Sequence, residues 1–216
     1  MTPSKSGTIR PPLAGGRRSF WLKHLHQWHW ISSAICLIGM LLFAATGITL
    51  NHAGQIEASP RTTSRTATVP AALLEALPPT RGEVKAPLPP ALRDWIAQEF
   101  RITAGERVAD WSADEIYLGL PRPGGDGWIT IDRTTGEAQH EVTTRGWVSY
   151  LNDLHKGRNA GAAWSLFIDV FAVACFVFCL TGLFLLHLHA GNRAATWPMV
   201  GLGLAIPVIL IILFIH

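Results

Sequence analysis

The chain has 216 residues, of which 49% are hydrophobic and only 15% are charged. Soluble domains carry roughly 25% charged residues, so the composition indicates a membrane protein. The formal net charge of +3 is too small to suggest a nucleic-acid partner. The three cysteines, Cys36, Cys175 and Cys179, all lie in apolar runs, which excludes a disulfide framework for the polar part of the chain.

Three apolar runs predict three transmembrane helices, because each is close to the ~20 residues that cross a ~30 Å hydrocarbon core. A secretory signal peptide is the alternative for the first run. Its apolar region would be only ~7–15 residues, and no clear small-residue cleavage site follows here. The predicted divisions are a basic N-terminus (1–28), the first span (29–52), a soluble region (53–160), the second span (161–189), a loop (190–196) and the third span (197–216).

Basic residues predict the orientation of these spans. Residues 1–30 carry five bases and no acid, and the 190–196 loop carries Arg193. Cytoplasmic segments are enriched in Lys and Arg, so the N-terminus and this loop are expected in the cytoplasm. The 53–160 region and the last residue, His216, are then extracytoplasmic. The five bases are Lys5, Arg10, Arg17, Arg18 and Lys23.

The soluble region is expected to form a small α+β domain. Residues 53–90 are rich in Pro, Thr, Ala and Arg and predict a linker with one short helix over 71–76. A helix is predicted after Pro90, where apolar residues recur at helical spacing, and a second helix over 147–155 leads into the second span. His140 is expected on the surface of the last strand. Four strands lie between these helices, at 107–112, 115–120, 127–132 and 137–143.

Histidines at the span boundaries belong to a repeated pattern. Residues 46–52 read TGITLNH and residues 181–187 read TGLFLLH, and Leu-His precedes each span at 25–26 and 154–155. The two copies would cross the membrane in opposite directions, as inverted repeats do. Antiparallel packing would bring His52 to His155 on the outer side and His187 to the histidines at 24, 26 and 29 on the inner side.

Each such pair offers two imidazoles from facing helices, which suits axial ligation of a haem iron. On one continuous helix, His187 lies within roughly 40° of His155 and His189 lies roughly 160° away, so His187 is preferred. That helix would be about 48 Å long, so it must project outward or break at Gly157 or Gly161. On the first helix His26 is favoured, with His24 and His29 as alternatives. These three histidines could instead bind zinc or copper without haem.

Asp169 is the only acid inside a predicted span. An intramembrane carboxylate is a functional candidate. It could orient a ligand imidazole through the ring N–H, pair with Arg158, or cap a kink through Ser165.

These residues resemble the PepSY-associated transmembrane proteins of bacteria. The resemblance rests on LHQW (25–28), TGITLNH, DLHKGRNAGAAWSLFID (153–169) and TGLFLLH, and ITIDRTTGEAQ (129–139) resembles the PepSY fold of one helix against an antiparallel sheet. It implies an inner-membrane protein with a periplasmic domain. Some members of this family are haem-containing reductases linked to iron or siderophore handling. By this resemblance two b-type haems would be held by His26 with His187 and by His52 with His155.

Two functions follow as hypotheses. The first is a haem electron-transfer protein in the lipid bilayer, a ferric-reductase-like component that passes electrons to a ferric, siderophore or flavin acceptor in the periplasm. With three spans and no flavin-binding domain, it would need a separate electron donor or a second copy of itself, so independent enzyme activity is not implied. The alternative is a non-catalytic PepSY module that binds a partner or regulates a periplasmic peptidase.

Overall fold

A computed structural model describes residues 13–57, 59–80 and 82–215. The basic residues Lys5 and Arg10 and the last residue, His216, lie outside this description. The helices are α1 (Leu13–Asn51), α2 (Ala71–Glu75), α3 (Pro90–Phe100), α4 (Trp147–His155), α5 (Ala162–His189) and α6 (Thr196–Phe214). The strands are β1 (Arg61–Thr68), β2 (Val84–Pro87), β3 (Val108–Trp111), β4 (Glu115–Gly119), β5 (Gly125–Asp132) and β6 (Glu137–Thr144).

The chain divides into two compact units. The first combines Met1–Met40 with Asp169–His216, and the second is Leu41–Ile168. Helices α1 and α5 each contribute one segment to each unit.

Three helices in the described part of the chain are long and apolar enough to cross a membrane: Arg18–Asn51, Ala162–His189 and Thr196–Phe214. Their apolar side chains are largely exposed, and lipid is the environment in which such a surface is stable. Helix α1 begins at Leu13, well before the predicted span, and no proline interrupts it before Asn51. Its 39 residues are about 58 Å long, so the helix is longer than a hydrocarbon core is thick.

The second membrane helix is separated from the helix that precedes it. Helix α4 ends at His155 and α5 begins at Ala162, and Gly157, Asn159 and Gly161 between them all have positive φ. Glycine adopts this backbone conformation without steric cost. The predicted break at Gly157 or Gly161 is therefore confirmed. The angular relation calculated for one continuous helix from His155 to His187 no longer applies.

The six strands form one antiparallel sheet in the order β1-β6-β5-β4-β3-β2. Four of them lie close to the predicted strands. The prediction that residues 53–90 form a linker is wrong, because β1 and β2 lie within that range. Both are edge strands. Strand β1 (RTTSRTAT) shows no alternation of apolar and polar residues, and β2 has four residues and ends in proline, so neither carries the usual strand signal.

The core of the domain lies between α3 and one face of the sheet. Leu92, Ile96 and Phe100 of α3 pack with Ile116 and Ile131 of the strands, and all five are buried. This arrangement is a membrane protein that carries a small α+β domain.

His140 was expected on the surface, and this prediction is wrong. It is only 8% exposed, because strand alternation places it on the core face of β6 beside Ala138. Its ring lies 5.5 Å from the ring of Phe100. Burial, and then the nearby Arg65 guanidinium, hold the pKa of His140 below its ordinary value.

Candidate functional site: histidines on the membrane helices

One histidine site joins α1 to α5 in the first unit. The Nδ1 atom of His29 lies 3.1 Å from the Thr181 hydroxyl and 3.2 Å from the Phe178 carbonyl oxygen. The imidazole stacks on the Phe178 ring at 4.7 Å. A Cβ at Gly182 would lie 3.2 Å from Cε1 of His29, so the missing side chain gives the imidazole room against the helix.

A second site of the same composition joins α1 to α4 in the second unit. The Nδ1 atom of His155 lies 2.7 Å from the Thr46 hydroxyl. The Phe43 ring lies 4.9 Å from the imidazole. A Cβ at Gly47 would lie 3.6 Å from Cε1 of His155. Each site therefore consists of one histidine with a phenylalanine, a threonine and a glycine from the other helix.

The two sets of partners are equivalent in sequence. Residues 43–52 read FAATGITLNH and residues 178–187 read FCLTGLFLLH, so the repeated motif is Phe-x-x-Thr-Gly-x-x-Leu-x-His. The predicted repeat contained the Thr-Gly and His positions but not the phenylalanine three residues before the threonine. In that repeat His26 and His155 were equivalent residues. In the structure the equivalent of His155 is His29.

The hydrogen bonds of the two threonines define the imidazole tautomers. Thr46 donates to the Leu42 carbonyl at 2.9 Å and Thr181 donates to the Val177 carbonyl at 2.7 Å. A hydroxyl has one hydrogen, so each threonine accepts the Nδ1–H of its histidine. The Phe178 carbonyl can only accept, which independently requires a proton on Nδ1 of His29. In both neutral imidazoles Nε2 is then left with its lone pair.

Three other boundary histidines also use Nδ1 as a hydrogen-bond donor. His26, His52 and His189 each bring Nδ1 to the carbonyl of the residue four positions earlier, at 2.8, 2.9 and 2.8 Å. A carbonyl cannot donate, so Nδ1 carries the proton in these residues too. In their neutral form these five imidazoles therefore keep the lone pair on Nε2, which is the form that ligates metals.

The structure brings His26 to His189 rather than to the expected partner His187. The ring centroids of His26 and His189 lie 5.8 Å apart, with the planes at 89°. His187 lies beside Trp197, at 5.6 Å between ring centroids. The choice of His187 had depended on a continuous helix from His155, which the break at Gly157–Gly161 removes.

The expected outer pair, His52 with His155, lies in the second unit. His52 is exposed at the end of α1 and bonds to its own helix through the Ile48 carbonyl. His155 bonds to Thr46. The pairing of His52 with His155 stays a prediction.

The hypothesis of a zinc or copper site built from His24, His26 and His29 is contradicted. Among the described residues, no three His, Cys, Asp or Glu side chains are placed to hold a metal ion. His24 packs on Phe20 at 4.2 Å, and His29 faces α5. At about 100° per residue, position 24 lies about 160° around the helix from position 26 and about 140° from position 29, so the three side chains do not share one face.

Asp169 is exposed on α5. The two other partners considered for it are engaged elsewhere, since Arg158 pairs with Asp153 at 2.6 Å and the Ser165 hydroxyl donates to the Gly161 carbonyl at 3.3 Å. The role of Asp169 toward a ligand imidazole stays a prediction.

Helix α4 is held firmly in the second unit by residues that the sequence analysis did not single out. The buried carboxylate of Asp153 accepts the backbone N–H of Gly124 at 2.8 Å and pairs with Arg158. The Thr49 hydroxyl donates to Asn152 Oδ1 at 2.8 Å. These bonds hold His155 in position. The sequence signal for them was the pair of adjacent polar residues, Asn152 and Asp153, in a short amphipathic helix.

Comparison with known proteins identifies the family but provides no detailed template. A family model described as PepSY_TM-like matches residues 20–216. No curated protein and no solved structure matches the chain. The match covers all the membrane helices, apart from the beginning of α1, and the whole α+β domain. The chain therefore belongs to the PepSY_TM-like family, as a membrane PepSY module.

Proposed function

We propose that this protein is a b-type haem electron-transfer component of a bacterial inner membrane, with its α+β domain in the periplasm. The observation that supports this proposal best is the set of five imidazoles on α1, α4 and α5 whose Nδ1 lies within hydrogen-bond distance of a carbonyl or hydroxyl oxygen, which leaves Nε2 as the ligating atom of each neutral ring. Neutral imidazole nitrogens are the axial ligands that b-type haem iron takes, and a hydrogen bond from the other ring nitrogen to a carbonyl raises their basicity.

The inner ligands in this proposal are His26 and His189, whose rings lie together. His187 is the competing partner expected from the sequence. His52 and His155 are the proposed outer ligands. Haem supplies reversible one-electron chemistry when bound, and the chain's own part is to hold each imidazole in one tautomer and to exclude water with apolar helices.

The direction of electron flow follows from the proposed orientation. Arg18 and Lys23 near the start of α1, and Arg193 between α5 and α6, favour the cytoplasm for these segments. Electrons would pass from a separate cytoplasmic donor to a ferric, siderophore or flavin acceptor in the periplasm. A second copy of the chain would supply the further helices that a closed bundle needs.

The visible spectrum of the purified protein tests the proposal. Protein from haem-replete cells should give a b-type spectrum after reduction with dithionite, and colourless protein would refute haem binding. His26→Ala and His189→Ala should each remove about half of the haem if two are bound. His24→Ala and His187→Ala are matched controls that should retain it. Loss in His187→Ala but not in His189→Ala would restore the ligand pair expected from the sequence.

A non-catalytic PepSY module that binds a partner or regulates a periplasmic peptidase is the second candidate. Side chains such as Asp110, Glu115 and Tyr117, on the face of the sheet opposite α3, are exposed, which favours a binding role. Colourless protein with a folded domain would support this candidate over electron transfer.

A further inference from the structure

The face of the sheet opposite α3 is strongly acidic. Helix α3 packs on the face that carries Ile116, Ile131 and Ala138. The residues next to these along each strand point to the opposite side, and the cross-strand register aligns them from strand to strand. We name that opposite side the open face. Lys85 is the only base that its strands carry there. Its acids are Asp110, Glu115, Asp126, Asp132, Glu137 and Glu141.

Most of this negative charge is not neutralised within the protein. Lys85 pairs with Asp110 at 2.9 Å, and both side chains are more than half exposed. The other five carboxylates form no salt bridge within the described part of the chain. Like charges on one face of a sheet repel one another and destabilise the fold. The open face therefore retains negative charge that no base of the described chain neutralises.

Some of these acids have a structural role, and others do not. Asp132 accepts the backbone N–H groups of Thr134 and Thr135 at 2.8 and 2.7 Å, which hold its pKa below the ordinary value. In contrast, the carboxylates of Glu115, Glu137 and Glu141 form no hydrogen bond with any described residue. These three glutamates can be changed without removing a bond seen in the fold.

An aromatic pair lies at the centre of the open face. The rings of Tyr117 and Trp128 stack at 6.5 Å with planes at 28°, and Tyr117 is 41% exposed. Glu141 is the cross-strand partner of Trp128, and Asp110 is that of Tyr117. Directly paired side chains have Cβ atoms about 4.5–5.5 Å apart. An aromatic surface flanked by carboxylates at this distance suits a Lys or Arg head group.

We propose that the open face docks a cationic, extended segment of a partner protein. Alternate side chains of an extended chain are about 6.6–6.8 Å apart and point the same way, which matches the spacing of same-side residues on the sheet. One Lys or Arg lies over Tyr117 and Trp128, and the bases on either side of it meet the glutamates. A metal ion fits less well, since no three acidic side chains are placed to hold one within the described residues. The proposal does not depend on haem.

The test uses the full chain in phosphatidylcholine nanodiscs, so that no anionic lipid competes for the probe. The probe is a fluorescent peptide of about ten residues that alternates Arg and Ser, with a Glu-Ser peptide of equal length as the negative control. Binding is measured by fluorescence anisotropy from about 50 to about 300 mM NaCl, over which screening should weaken it steadily.

Two triple variants with the same change in charge distinguish an effect of the open face on binding from an effect of net charge. The open-face variant should bind the Arg-Ser peptide about tenfold more weakly, because each exposed ion pair contributes about two- to threefold. The control variant should bind within about twofold of the unmodified protein. The open-face changes are Glu115→Gln, Glu137→Gln and Glu141→Gln, and the control changes are Glu75→Gln, Glu99→Gln and Glu106→Gln, all exposed and outside the open face.

Several outcomes would overturn the proposal. Equal weakening of peptide binding in the two triple variants would mean that net charge alone causes the effect. Failure of the unmodified protein to bind the Arg-Ser peptide at low salt would refute the proposal directly. Displacement of the peptide by about 1 mM CaCl2, but not by NaCl of equal ionic strength, would point to a divalent-cation site instead. If the open-face variant unfolds, Trp128→Leu takes its place and should weaken binding several-fold.

Discussion

Replacement of Thr46 by valine should release the imidazole of His155 from its Nδ1–H tautomer. The Thr46 hydroxyl donates to the Leu42 carbonyl and accepts from His155 Nδ1 at 2.7 Å. Valine has nearly the same shape but lacks the acceptor. One net hydrogen bond is worth about 1 kcal/mol, so the ratio of Nδ1–H to Nε2–H imidazole should fall about fivefold.

Nitrogen-15 NMR of histidine-labelled protein measures this ratio, because protonated and bare ring nitrogens have separate shifts. The spectra are recorded above about pH 8, where ordinary imidazoles are neutral. The His155 signal is identified by its loss in His155→Gln. An unchanged tautomer ratio in Thr46→Val, or a proton on Nε2 in the unmodified protein, would refute the assignment of bare Nε2 atoms.

Thr181→Val provides a matched comparison in the other site. Nδ1 of His29 also faces the Phe178 carbonyl, at 3.2 Å, and this acceptor remains in the variant. The tautomer ratio of His29 should therefore change by less than about twofold. Serine at either position should preserve the tautomer, because it retains the hydroxyl. A larger change at His29 than at His155 would contradict the geometry described for the two sites.

Three further predictions concern stability. Asp153→Ala should lower the free energy of unfolding of the domain by about 2–3 kcal/mol. Arg158→Ala should lower it by less than about 1 kcal/mol, because this side chain is half exposed. Denaturant titration followed by tryptophan fluorescence measures both. Because the pKa of His140 is lowered in the folded state, the unfolded chain binds more protons. The contribution of neutral His140 to stability should be fully present above pH 6.5, the ordinary pKa, and should be lost as the pH falls below it. His140→Phe should remove this decline in pH-dependent thermal unfolding. Gly182→Ala should lower the thermal midpoint more than Gly47→Ala, because the added Cβ meets an imidazole at 3.2 Å rather than 3.6 Å.

Each of these three predictions has an outcome that contradicts it. Equal losses in Asp153→Ala and Arg158→Ala would mean that the bond to the Gly124 N–H contributes little. A pH profile identical in His140→Phe and in the unmodified protein would assign the decline to other groups. Equal thermal midpoints for the two glycine variants would show that the helices separate slightly at no cost.

The sequence predicts the elements that have a strong apolar pattern and misses those that do not. The three spans, α3 and strands β3 to β6 follow from apolar runs or alternation, since burial determines these patterns. Strand β1 is polar on both faces and is stabilised by pairing with β6. Its threonines are compatible with a strand and also with a linker, and only the tertiary pairing decides between them.

The candidate site is predicted in part. The repeat of Thr-Gly and His is visible in the sequence, and the structure brings its threonines and glycines to histidines. Which histidine each copy meets could not be predicted, because it depends on where the chain breaks between α4 and α5. The positive φ values at Gly157, Asn159 and Gly161 set that break, and helix phase cannot be carried across it.

The threonines are better guides to the contacts of these helices than the histidines are. Helices α1 and α5 contain three threonines, at 46, 49 and 181, and each meets a polar side chain from another helix: His155, Asn152 and His29 respectively. The serine hydroxyls at 32 and 165 bond to carbonyls of their own helix turn. The Thr46 and Thr181 hydroxyls donate to a carbonyl of their own helix and still have lone pairs free, whereas the Thr49 hydroxyl donates to Asn152 Oδ1. Where a threonine directly precedes a glycine, the free lone pairs lie beside an open space on the helix, and an imidazole from the facing helix fits both.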